Sequence, residues 1–71
     1  MIINSPEELD AWFIAAEPGD VGVYGVATEH RRPLHYMLQH ANGYLERNLV
    51  QLFQKRQPNG SLHYLIRKAG K

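Results

Sequence analysis

The chain has 71 residues, 44% of them hydrophobic and 21% charged, with a formal net charge of +1 and no cysteine. A chain this short forms one domain, residues 1–71, and buries only about 60% of the surface its unfolded form exposes; without cysteine it has no disulfide framework and no thiolate zinc site, so packing or oligomerisation must hold it together. No stretch approaches about 20 apolar residues and the first residues carry no basic, apolar leader pattern, so a soluble cytoplasmic protein without membrane contact is expected.

In chain order, Ser5-Pro6-Glu7-Glu8 reads as a helix start: Ser5 caps, Pro6 takes the first helical position, and Glu8 falls where a capping box reaches back to the cap amide. Leu9, Trp12, Phe13 and Ala16 recur at helical spacing on one face, which assigns Trp12 to the core, and Pro18-Gly19-Asp20 ends the helix. Val21 to Ala27 is a short β-branched run interrupted by Gly22 and Gly25, which predicts an edge strand or a bent one. Pro33 is expected to open a second helix with an apolar stripe of Leu34, Met37, Leu38, Ala41 and Leu45, and Asn48 is placed to take the left-handed stop position. Gly43 costs that helix roughly 1 kcal/mol against alanine, so either the helix tolerates it or it marks the close approach of another backbone.

Leu49 to Arg56 and Ser61 to Lys68 flank Gln57-Pro58-Asn59-Gly60, the signature of a hairpin. A three-residue loop of Pro58, Asn59 and Gly60 pairs Gln57 with Ser61 and Leu52 with Ile66, joining Val50, Leu52, Leu62, Tyr64 and Ile66 into one apolar surface. A two-residue loop would put Phe53 opposite Ile66 instead; the first register closes the better face and is preferred. The order helix, strand, helix, hairpin predicts an α+β fold, a reduced winged-helix-like domain with the hairpin as its wing.

Three stretches carry a resemblance: Pro18-Gly19-Asp20-Val21-Gly22-Val23-Tyr24, Leu49-Val50-Gln51-Leu52-Phe53-Gln54-Lys55-Arg56, and the ending from Tyr64 to Arg67. They resemble small uncharacterised proteins encoded by phages and prophages, over most of the chain. The resemblance implies a phage-borne accessory or regulatory protein with a winged-helix-like fold, and transfers no catalytic role. One departure is that Thr28-Glu29-His30-Arg31-Arg32 leaves room for one turn at most, where a standard helix-turn-helix has a complete helix.

Chemistry is poorly supported. His30, His35 and His40 are five apart, so on a helix they point about 140° away from each other, whereas helical zinc pairs lie three or four apart. Ser5 reads as a cap and Ser61 as a turn residue, there is no glycine-rich phosphate loop, and Glu7, Glu8 and Asp10 suit the dipole of a helix start. The expectation is a protein that binds, with no catalytic residue, no metal and no cofactor.

Binding is where the charge pattern speaks. Glu7, Glu8, Asp10, Glu17, Asp20 and Glu29 give the first thirty residues −6; Arg31, Arg32, Arg47, Lys55, Arg56, Arg67, Lys68 and Lys71 against Glu46 give the rest +7. Opposite the expected apolar stripe, His35, Gln39, Asn42 and Glu46 face outward, and Gln39 and Asn42 can pair bidentately with adenine. Arg31, Arg32, Lys55, Arg56, Arg67 and Lys68 would then hold phosphates of double-stranded DNA, in a protein that pairs as a homodimer. The bland reading of the same residues is a solvated helix face and a hairpin guarded by Lys and Arg against edge pairing. The competing function is a protein-interaction module, with Glu7, Asp10 and Glu17 docking on a host regulator or enzyme or on the basic hairpin of a second copy.

Overall fold

The computed structural model describes residues 2–32 and 35–70. The elements are α1 (Pro6–Ala15), β1 (Val21–Ala27), α2 (His35–Glu46), β2 (Val50–Arg56) and β3 (Leu62–Lys68), an α+β chain in the expected order. Pro33 and Leu34, named above as the start of the second helix, lie outside the described residues.

α1 begins as its sequence dictates. The Glu8 amide donates to Ser5 Oγ at 3.1 Å, and Glu8 Oε1 accepts from the Asn4 amide at 2.7 Å, one residue before the cap. At its other end the turn is closed locally: Asp20 N donates to the Glu17 carbonyl, Glu17 N donates to Asp20 Oδ2 at 3.0 Å, and Gly19 takes φ 94°. α2 ends in a Schellman arrangement. Asn48 has φ 61°, its amide donates to the Leu45 carbonyl and the Leu49 amide reaches back to Tyr44.

The sheet is antiparallel with order β1-β3-β2. Leu52 pairs with Ile66, and Gln57 N donates to Ser61 O at 2.8 Å, the register of the three-residue loop. β1 is a bent edge strand: the register slips between Val23 and Gly25, so Tyr24 is the extra residue of a bulge. The Ile3 amide donates to Val23 O at 2.7 Å, so the segment before α1 runs alongside the outer edge of β1.

Both helices lie on one face of this sheet. Leu9 of α1, Met37, Ala41 and Tyr44 of α2, and Ile3, Tyr24, Val50 and Ile66 form one buried cluster, with Trp12, Phe13, Leu52 and Tyr64 packed against it. Leu9 and Ile66 are fully buried, each stabilising the fold by about 1.5–3 kcal/mol relative to exposure. Trp12 lies close over Gly22, where an added Cβ would sit 3.0 Å from its Nε1 and 3.0 Å from Ile3 Cδ1. Gly43, in contrast, has nothing within 4 Å of such a Cβ, so the helix tolerates it and no backbone approaches.

The stripe of α2 is rotated from the expected one. Met37, Ala41 and Tyr44 are buried and Leu45 is exposed, because the Tyr44 hydroxyl finds an acceptor on α1 and its ring stacks on Phe13 at 4.6 Å between centroids.

Candidate nucleic-acid interface

The expected binding residues fall into four places. Arg31 and Arg32 follow a tight turn rather than a helix: Thr28 N donates to Arg31 O at 2.8 Å, Arg31 N donates back to Thr28 O at 3.4 Å, and Glu29 and His30 form the corner. Both arginines are exposed, beside Ile2–Asn4, Val26 and Met37. Because Ala27 pairs with Leu62 and Leu62 with Arg56, this turn and the hairpin loop share one end of the sheet, on the two sides of an open cleft of about 580 Å³. Arg31, Arg32, Lys55 and Arg56, distant in sequence, are thereby brought to the same end, Arg56 on the helix side of the sheet and Lys55 at the edge of the other side.

His35, Gln39 and Asn42 are exposed on the side of α2 turned away from the sheet, as the sequence indicates, with His35 nearest that basic end. Arg67 is elsewhere. It shares a face with Gln51 and Phe53, on the side of the sheet opposite the helices; its Nε donates to Gln51 Oε1 at 3.0 Å and its guanidinium carbon is 5.9 Å from the Phe53 centroid. One flat ligand cannot lie on the outer side of α2 and on Arg67 together.

Lys68 is committed to the fold. Its Nζ donates to the carbonyls of Phe13 at 2.9 Å and Ala16 at 2.8 Å and sits 4.5 Å from the Phe13 centroid. A cation at the negative end of α1 satisfies orphan carbonyls and complements the helix dipole. No periodicity reveals this role, since the partner is 52 to 55 residues away.

The acidic set divides in the same manner. Glu7 and Glu17 are exposed, but Asp10 is used internally: its Oδ1 accepts from Tyr44 Oη at 2.5 Å and lies 2.8 Å from His40 Nε2, tying α1 to α2. These two bonds, Tyr44 first, hold the Asp10 carboxyl below its ordinary range. Burial and then the same bond push the Tyr44 hydroxyl up to about 12. Burial raises Tyr24 too, with Tyr64 adding to it.

Electrostatically the domain is layered. The three strands contain Lys55, Arg56, Arg67 and Lys68 and no acid, whereas the acids sit on the helices and turns. Among the described residues no group of three or more His, Asp or Glu side chains is placed to hold a metal ion, and no helix is long and apolar enough to cross a membrane. Comparison with family models, with curated proteins and with solved structures finds no match to this chain.

Proposed function

We propose that the protein is a small DNA-binding accessory or regulatory protein of the phage or prophage kind that its sequence resembles, acting as a reduced winged-helix-like domain. The observation that carries this reading is that strand pairing brings the turn before Arg31 and Arg32 to the same end of the sheet as Lys55 and Arg56. The order β1-β3-β2 behind two helices supports the fold reading. In this proposal the four cations hold phosphates and position the domain, while His35, Gln39 and Asn42 reach toward base edges. One module buries little surface, so two copies would bind together. Lys68 drops out of the phosphate set, and Arg67 lies off this surface. Docking of a protein partner on α1 now rests on Glu7 and Glu17 alone, because Asp10 is occupied.

Anisotropy of a labelled mixed-sequence duplex across a salt series tests the proposal. Four phosphate contacts give a log–log slope of about −3.6, or about a hundredfold loss between 50 and 200 mM salt. The double reversals Arg31→Glu with Arg32→Glu and Lys55→Glu with Arg56→Glu should each reduce the slope by about two contacts. Binding that ignores salt and both reversals sinks the reading.

A further inference from the structure

The side of the sheet away from the helices is uncovered by any described element, and its side chains are arranged in rows. Val23, Leu65 and Phe53 pair across the three strands to form a central apolar row in which Leu65 is buried and Phe53 is exposed, and Ile2, bridged to Val23 and 50% exposed, extends it. On one flank of that row Arg67 pairs with Gln51; on the other His63 pairs with Lys55. From the Gln51 pair to the Lys55 pair is four residues of strand, about 13 Å, with Phe53 midway.

We infer that this open face is a second binding site, and that it takes single-stranded nucleic acid: a base stacks on Phe53 while the backbone passes from Arg67 to Lys55. Three observations carry it. Phe53 is 40% exposed, whereas Val50 and Leu52, the other apolar residues of its strand, pack in the core on the opposite face. Arg67 is held in position by Gln51, which leaves guanidinium donors free for a phosphate. Finally, no strand carries an acid, so the face complements a polyanion. An apolar, aromatic row between two cationic flanks is the arrangement that holds single strands without reading their sequence. A second copy fits worse, because two such faces packed on each other bring cations against cations.

The two sites share Lys55, but Phe53 and Arg67 belong to this one alone, so substitutions at those two residues separate it from the duplex proposal. The probes are a twelve-residue oligothymidine and the matching oligouridine, titrated into ¹⁵N-labelled protein at low salt, with a polyglutamate peptide as the acidic competitor. The expected result is shifts of the Val23, Gln51, Phe53, Leu65 and Arg67 amides. Phe53→Leu, which keeps apolar bulk but no ring, should weaken oligonucleotide binding by about five- to 150-fold, the range for one stacked base. Phe53→Tyr should retain it, and Arg67→Gln should weaken it while leaving duplex affinity unchanged. The inference is overturned by any of three results: no shifts on this face, equal shifts with polyglutamate, or shifts that follow protein concentration without oligonucleotide. Equal oligonucleotide affinity of Phe53→Leu and the parent, both folded by circular dichroism, overturns it as well.

Discussion

Replacing Tyr44 with phenylalanine keeps the ring that stacks on Phe13 and removes only the hydroxyl donating to Asp10. A hydrogen bond to a charged acceptor contributes about 1.5–3 kcal/mol. Asp10 is 49% exposed and keeps His40, so the lower end applies, about 1.5 kcal/mol at pH 7, or roughly 6–12 °C in Tm for a domain of this size. The pH dependence makes the test sharper. The folded Tyr44 hydroxyl titrates at about 12 against 10.0 when unfolded, so the folded state holds this proton more tightly. Its stabilising contribution is full below pH 10 and is lost as pH rises toward 12, at about 1.4 kcal/mol per pH unit. The parent protein, ahead by about 1.5 kcal/mol at pH 7, should therefore draw level with Tyr44→Phe near pH 11 and fall behind it above that. Tyr24, raised by burial, is common to both proteins and cancels in the difference. Urea unfolding followed by Trp12 fluorescence at pH 7, 10 and 11 reads this directly. A gap between the two proteins that stays constant over that range would refute the assignment of Tyr44 as a donor to an ionised Asp10.

Gly22→Ala places a methyl group 3.0 Å from Trp12 Nε1 and Ile3 Cδ1 and should cost about 1–3 kcal/mol by overpacking; denaturant midpoints unchanged from the parent would show that Trp12 is not seated there. Gly43→Ala meets no atom within 4 Å and should stabilise α2 by about 0.5–1 kcal/mol, seen as a higher Tm. Lys68→Met removes the cation from the end of α1 and should lower stability by about 1–2 kcal/mol. It should also leave the salt slope for duplex DNA unchanged, and a slope reduced by a full contact would return Lys68 to the phosphate set.

Much of the backbone is legible in the chain itself. The hairpin register follows from a loop that fits Pro58, Asn59 and Gly60 and from the single pairing that joins Val50, Leu52 and Ile66 on the helix side. The start of α1 and the stop of α2 are local devices, set by Ser5, Pro6, Glu8 and Asn48, and so are readable locally. What escapes sequence reasoning is set by partners far along the chain. Hydrophobic spacing ranks Leu45 above Tyr44, because a tyrosine becomes a core residue only when its hydroxyl has an acceptor, here Asp10, 34 positions away. Lys68 reads as one more surface cation until the carbonyls of Phe13 and Ala16 are seen around it. Among the site residues, the exposed face of α2 follows from periodicity, whereas the placing of Arg31 and Arg32 at the same end of the sheet as Lys55 and Arg56 depends on β1 pairing with β3, which no local pattern encodes.

An amide NMR titration of the labelled protein with a short mixed-sequence DNA duplex, at low and near-physiological salt, tests the DNA reading most directly. The account predicts shifts at Arg31, Arg32, His35, Gln39, Asn42, Lys55 and Arg56 that shrink as salt rises, with Glu7 and Glu17 unmoved. Absence of shifts at low salt, or shifts confined to α1, would contradict it and make the charge layering a matter of protein partners.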